Sequence, residues 1–309
     1  MLQEWNKLGK YGIDIGNAKT RVAFATILLP TLVSAAAIVL AIFNVAVPSA
    51  QDLALAVLMY CITMLGVTVG FHRLFAHRSF KTKPLVRLVV GILGSMAAQG
   101  PLLFWVAEHR RHHKHTDTSG DPHSPRVDPT QTESAPGGFW HAHVGWMLQS
   151  DTPAKRIYES DLLRDPIIRF VNRWYFIWVL LGLLLPGVAA GVMQGSLMHG
   201  VLGVLWAGFV RMFLAHHATW CVNSVCHMAW TKTFDLNDQS RNNRWVALIT
   251  FGEGWHHNHH AFPYSARQGL SPMQIDLSYQ LIRALVWLRL ADQTRLPVYL
   301  DQDDGRKRA

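Results

Sequence analysis

Four stretches of the chain hold almost nothing but apolar side chains. They lie near residues 22–47, 52–71, 174–194 and 198–222. About 20 apolar residues are enough for a helix to cross a bilayer, so each stretch predicts a membrane span. The connections around Val47–Asp52 and Gln194–His199 are very short, which pairs the spans as two hairpins. A fifth apolar stretch, Leu85–Ala107, is interrupted by Gly91, Gly94 and Gly100–Pro101. It predicts an interfacial or re-entrant helix rather than a fifth span, because spanning would place the histidines before and after it on opposite sides of the membrane. The expected architecture is an all-α integral membrane protein of four transmembrane helices, with an interfacial helix and a helical cap. The cap comes from 73–173 and 223–300, and the whole of 1–309 reads as one domain with a charged tail, Asp301–Ala309.

Charge placement predicts the orientation. No Lys or Arg occurs between Arg21 and Arg73, or between Arg173 and Arg211. By the positive-inside rule both hairpin tips face away from the cytoplasm, and both termini and the cap lie inside. The polar first 21 residues lack a cleavable signal pattern, so the first apolar block reads as a retained span. With 50% hydrophobic and 16% charged residues, an ordinary soluble domain is excluded. The net charge of +9 implies contact with something anionic: lipid headgroups, an acyl-CoA or an acidic carrier protein. Nucleic acid is excluded as a partner, because the basic residues flank hydrophobic segments instead of forming one stripe. Cys61, Cys221 and Cys226 sit in or beside apolar segments without a CxxC pair, and read as buried hydrophobes rather than disulfides.

The chemistry lies in the 17 histidines. His72 and His77 form HxxxxH; His109, His112 and His113 form HxxHH; His256, His259 and His260 form HxxHH again. Positions i, i+3 and i+4 share one helical face, so each HxxHH projects three imidazoles into one space. HxxxxH does not do this on a straight α-helix, and His77 is expected just past the second span, where the helix frays. Imidazole ligates iron, zinc, copper and nickel, and eight of them converging can hold two metals. Asn223 and His227, at i and i+4 where the fourth span ends, add a ninth candidate imidazole and an amide able to act directly or through water. His257 points off the shared face of its cluster. His115, His123, His141, His143, His199, His216 and His217 have no ligand spacing.

The chain resembles the membrane-bound fatty-acid desaturases of the acyl-CoA Δ9 type, especially the bacterial branch. The matching segments are GVTVGFHRLFAHRSFK (66–81), EHRRHHKHTDTSGDPHSP (108–125), FWHAHVGWM (139–147), HHATWCVNSVCH (216–227) and SRNNRWVALITFGEGWHHNHHAFPYSARQG (240–269). The resemblance implies two iron ions, with zinc possible in purified protein, held by His72, His77, His109, His112, His113, His227, His256, His259 and His260. Asn223 would reach the second iron through water. It also implies a bacterial inner-membrane enzyme that uses O2 to place a cis double bond, at Δ9, in a saturated long acyl chain carried as a thioester. Gln99, Trp105, Thr219 and Trp220 would line the acyl tunnel at its bend, and Ala56, Tyr60, Thr63 and Val67 would close its far end. Such chemistry is required because an unactivated methylene offers no acidic proton and no leaving group. The carboxylates Glu108, Asp117, Asp121 and Glu253 could orient ligand imidazoles through their second nitrogen.

Three departures from the family pattern matter. The Arg–Lys pair that holds CoA phosphates is replaced after Met147 by Leu148-Gln149-Ser150-Asp151, and an arginine before the second histidine box is Ala107. Both weaken CoA as the carrier and leave room for acyl carrier protein or a glycerolipid. HMAWTKTF (227–234) lacks a glycine common in relatives, with Trp230 nearby. No haem-binding HPGG segment occurs, so the electron donor is expected to be a separate ferredoxin, rubredoxin or haem cytochrome. The same-class rival is a hydroxylase or acetylenase on carrier-protein- or lipid-bound chains. A metal transporter fits poorly, because transporters place such ligands near the bilayer midplane, often within repeats, and none is visible here.

Overall fold

A computed structural model describes residues 18–126, 135–148 and 156–298. The tail 301–309 and residues 149–151 lie outside the described residues. The architecture is helical, and among the described residues four helices are long and apolar enough to cross a membrane: Thr20–Ile42, Ala50–Ala76, Tyr175–Gln194 and Leu197–His227. The fold class expected from the apolar blocks is therefore borne out.

α1 (Ala18–Ile42) and α2 (Ala50–Leu65) make the first hairpin. The span expected to reach residue 47 stops at Ile42, because Asn44 turns left-handed (φ 58°). Ser49 and Asp52 form a reciprocal capping box at the start of α2. The buried Asp52 carboxylate also accepts from Gln194 at 2.8 Å and His199 at 2.9 Å, tying the tips of both hairpins together. α2 runs without a break into a π-helix, Gly66–Ala76. β1 (Lys81–Thr82) then leads to α3 (Pro84–Met96), whose 13 residues are too few to span.

The fifth apolar stretch is thus two helices, α3 and α4 (Leu102–His115), broken only at 97–101. Gly91 and Gly94 do not interrupt α3. Gly94 instead lets it lie on the π-helix: a Cβ at Gly66 would sit 2.2 Å from the Gly94 nitrogen. The break comes at Ala98 (φ 57°) and Gly100 (φ 101°), and the latter is a conformation that favours glycine.

α5 (Ala135–His143), a 3-10 turn (Gly145–Leu148), α6 (Arg156–Glu159) and α7 (Pro166–Arg173) follow. α8 (Tyr175–Gln194) is the third span. The fourth is composite: α9 (Leu197–Leu202), a second π-helix (Gly203–Val210) and α10 (Arg211–Asn223), ending in a 3-10 turn at His227. α11 (Arg244–Ile249), α12 (His256–Ala261) and α13 (Leu277–Trp287) complete the helices, and β2 (Ala291–Asp292) pairs antiparallel with β1. The main core joins Phe71, Leu74 and Phe75 of the π-helix to Leu102 and Val106 of α4, Ile168 and Val171 of α7, and Tyr279 and Ile282 of α13. This packing fixes the end of the second span against the helices outside the membrane.

One buried cation braces the spans. Arg211 is 1% exposed and donates to the carbonyls of Ala207 at 3.1 Å, Met96 at 3.1 Å and Gly182 at 2.6 Å. Two of these acceptors lack ordinary helical partners. Gly182 stands four residues before Pro186, which has no N–H to offer it. Met96 ends α3, where carbonyls go unpaired. Replacing Arg211 with Met should cost about 2–6 kcal/mol, because each of the two buried carbonyls left alone costs about 1–3 kcal/mol. The thermal midpoint in detergent should fall clearly for Arg211→Met and partly recover for Arg211→Lys. An unchanged midpoint would show that the brace carries no stability.

Candidate metal centre

The π-helix changes the meaning of HxxxxH. Its hydrogen bonds run from i to i+5, which brings residues five apart onto one side. His77 N–H donates to the His72 carbonyl at 3.1 Å, and the two rings lie 4.8 Å apart. The helix does not fray after His72, as its spacing suggested. It widens, and the widening puts both imidazoles in one place.

The other histidines arrive from three helices. α4 presents His109, His112 and His113; α12 presents His256, His259 and His260; the end of the fourth span presents His227. They divide into two groups. His72, His77, His109, His113 and His259 form one, and His112, His227, His256 and His260 the other. In the first, Nε2 atoms approach at 2.7 Å (His77–His109), 2.9 Å (His259–His113) and 3.1 Å (His72–His259). In the second they approach at 2.9 Å (His227–His256), 3.0 Å (His256–His260) and 3.2 Å (His112–His260). Two nitrogens held about 2.1 Å from one ion at a right angle stand about 3 Å apart.

The second ring nitrogens show which tautomers are present. His112 Nδ1 lies 2.9 Å from Asp121, His227 Nδ1 3.1 Å from Asp117 and His260 Nδ1 3.1 Å from Asp238. Glu253 faces His72 Nδ1 in the same way. A carboxylate only accepts, so each Nδ1 carries a proton, and in the neutral ring each Nε2 keeps a lone pair. His112 and His260 therefore aim two lone pairs at each other across 3.2 Å. A cation between them fits; nothing else in the geometry relieves the repulsion.

Of the carboxylates singled out by sequence, Asp117, Asp121 and Glu253 touch imidazoles. Glu108 lies 3.7 Å from Arg111 and lines a cavity. Asp238 was missed, since it lies 22 residues before His260 and in no motif. Its loop also contains Trp230 at φ 106°, a strained conformation for a side chain of that size. His123 stacks on His112 with ring centroids 4.5 Å apart, although its spacing gave no sign of this. His257 is held away by Ser240 at 2.9 Å and by the Phe234 backbone. His199 and His216 serve the fold, bonding Asp52 and the Ala97 carbonyl.

A cavity of 440 Å³ is lined by Val22, Thr26, Gln99, Trp105, His109, Phe176, Thr219, Trp220 and Asn223, among others. A smaller one of 40 Å³ lies between His72, His109, His112, His256 and Glu253 on one side and Met64, Val67 and Thr68 on the other. Trp105, His109, Thr219 and Asn223 line both. Trp105 stacks on His109, and Gln99 donates to Thr219 at 2.8 Å. Of the residues expected at the far end, Val67 lines the smaller of these two cavities. Ala56 packs among Met59, Met96 and Ala207; Tyr60 donates to the Ile249 carbonyl at 2.6 Å; Thr63 bonds the Met59 carbonyl. Met64, next to Thr63, lines the smaller cavity beside Val67 and packs against Ala215 and Ala218.

Burial, then the neighbouring imidazoles, push His77, His109, His113, His256 and His259 well below the usual histidine range. Burial also takes His260 down to about 4, against the opposing pull of Asp238. Burial raises Asp117, Asp121 and Asp238, but the facing imidazoles outweigh it and hold all three below the carboxylate range. At neutral pH His77, His109, His113, His256, His259 and His260 are thus uncharged imidazoles. Histidines kept neutral in the fold are protonated more readily when unfolded, so metal-free protein loses stability as pH falls below about 6.5. The thermal midpoint of chelator-treated protein should be lower at pH 5.5 than at pH 7.5, by conditions set from that reference value. An unchanged midpoint would mean the imidazoles are not held neutral.

Comparison with known proteins agrees with this arrangement. The family model described as "Fatty acid desaturase" matches residues 49–284, a stretch that contains all nine grouped histidines. The chain is 46% identical over 252 residues to a hex-5-enoyl-[acyl-carrier protein] acetylenase of Moorena producens, covering 81% of this chain and 78% of that one. It is 39% identical over 248 residues to an sn-1 stearoyl-lipid 9-desaturase of Anabaena variabilis, covering 78% and 83%. A second sn-1 stearoyl-lipid 9-desaturase, from Synechocystis, is 41% identical over 248 residues, covering 79% and 71%. Four spans, imidazoles gathered beside an apolar cavity and a match across most of the chain place this membrane oxidoreductase in the fatty acid desaturase family.

Proposed function

We propose that the protein desaturates a saturated long acyl chain at Δ9, using O2 and two iron ions, and that the chain is borne by a lipid of the bilayer. The observation that supports it best is the sharing of Trp105, His109, Thr219 and Asn223 by the two cavities, which carries an apolar path beneath the histidines. Iron is the general cofactor of the family. Its two groups of holders would be the five-histidine and four-histidine sets, with Asn223 near enough to act through water. Once bound, the iron pair supplies an O2-derived oxidant strong enough to take hydrogen from a methylene.

The chain's own residues do the rest. Asp117, Asp121, Asp238 and Glu253 fix the imidazole tautomers. Trp105 holds the His109 ring and forms a wall of the path, and the Gln99–Thr219 bond forms another. Met64, Val67 and Thr68 stop the chain end, which sets the carbons lying beneath the metals by positioning alone. The larger cavity is walled by membrane-span residues, Val22, Ala23 and Thr26 of α1 with Tyr175 and Phe176 of α8, a route from the lipid phase. Ala107 and Leu148 carry no charge for CoA phosphates, and two relatives are named for stearoyl-lipid. The cap and both termini would face the cytoplasm, where a separate protein donates electrons.

A second reading follows from the relative of 46% identity: an acetylenase acting on carrier-protein-bound chains. Expression in a host lacking desaturases separates the two. New Δ9-monounsaturated chains in glycerolipids, absent with His256→Ala, are expected. Acetylenic products would support the second reading, and no new product from iron-loaded protein would overturn the first. Replacing Met64 with Ala should lengthen the accepted chain, a shift readable in the same lipid profile.

A further inference from the structure

The amphipathic helix α7 stands at the foot of the third span and has one inward and one outward face. Ile168 and Val171 point into the core, while Arg169, Phe170, Arg173 and Trp174 are exposed. Arginines and aromatics four residues apart, at the start of a span, mark the level of lipid headgroups. Beside this helix lies a cleft of 410 Å³ lined by Leu103, Pro166, Arg169, Phe170, Asn172 and Arg173. Among the described residues neither guanidinium has a carboxylate partner. Asp165, one turn before Arg169, is occupied: it pairs with Arg87 and caps α7 through the amides of Ile167 and Ile168. Asn172 is also engaged, accepting from the Leu103 amide at 3.0 Å. That bond fixes the amino end of α4 at the cleft, where its dipole adds positive potential.

We propose that Arg169 and Arg173 bind the phosphate diester of an anionic glycerophospholipid, seating a headgroup beside the mouth of the acyl cavity. Two guanidiniums at i and i+4 offer forked donors suited to phosphate oxygens. Leu103 and Phe170 give the cleft an apolar floor for the glycerol end of the acyl chains. Cleft and cavity are walled by the same stretches of chain: Leu103 lines one and Phe104 the other, and Arg173 lines one and Tyr175 the other. The lipid source is favoured over a soluble thioester because the neighbours Trp174 and Phe176 are large apolar side chains left exposed at the start of the third span. The inference rests on the acyl-lipid reading and names the headgroup chemistry that reading would use.

The test is binding, without turnover. Full-length protein in detergent is titrated separately with phosphatidylglycerol, diacylglycerol and stearoyl-CoA, and bound ligand is counted by native mass spectrometry. Wild type should prefer phosphatidylglycerol to diacylglycerol, and Arg169→Gln with Arg173→Gln should weaken phosphatidylglycerol binding by at least about tenfold. Arg169→Lys with Arg173→Lys, which keeps the charge, should retain part of it. Equal phosphatidylglycerol binding by wild type and the glutamine variant would overturn the site. Arginine-dependent binding of stearoyl-CoA but not phosphatidylglycerol would overturn the lipid source. Because no product is measured, an absence of desaturation in cells would count against the catalytic reading and leave this result standing.

Discussion

Imidazole lone pairs packed within about 3 Å repel one another, and only cations between them make the packing favourable. The remainder of the structure gathers nine rings into two such groups. Carboxylates behind four of the rings fix the protons on Nδ1, so that Nε2 has nothing to offer a neighbour but electrons. The backbone is bent to the same end. A π-helix replaces α-helix where His72 and His77 must meet edge to face, and a left-handed turn at Ala98 and Gly100 re-aims α4 so that its three histidines meet them.

Rings held this closely need rigid supports, and the supports lie in the spans. The Gly66–Gly94 crossing brings α3 against the π-helix, and Arg211 joins the end of α3 to the third and fourth spans. A charged side chain among apolar helices is costly unless fully paired. Here its donors meet carbonyls that proline and a helix end had left without partners, so two deficits cancel. The result is a stiff membrane frame with the histidines on its end and an apolar path between.

Much of this was legible in the sequence. Apolar runs longer than a bilayer is thick can do little but span, and HxxHH on a helix can do little but converge. The spans, the two HxxHH clusters and His227 all follow from such periodicity. What escaped depends on local backbone geometry or on distant contacts. An α-helical period makes His72 and His77 diverge, and no residue in GVTVGFHRLFA signals the wider turn. Asp238 reaches His260 through a loop with no periodicity to read. The division into five and four rings, and the turning of Tyr60 and Thr63 to backbone carbonyls while Met64 and Val67 line the smaller cavity, are set by tertiary packing. Glycines at 91 and 94 suggested breaks, yet they permit close approach, a use that becomes visible only with the neighbouring helix in place.

The most direct test of the paired-cluster assignment is Mössbauer spectroscopy of iron-loaded protein, with iron and protein quantified on the same sample. Two iron ions per chain, giving two distinct components of equal weight for the five- and four-imidazole surroundings, are predicted. One ion per chain, or a second ion bound only weakly and without its own component, would contradict it.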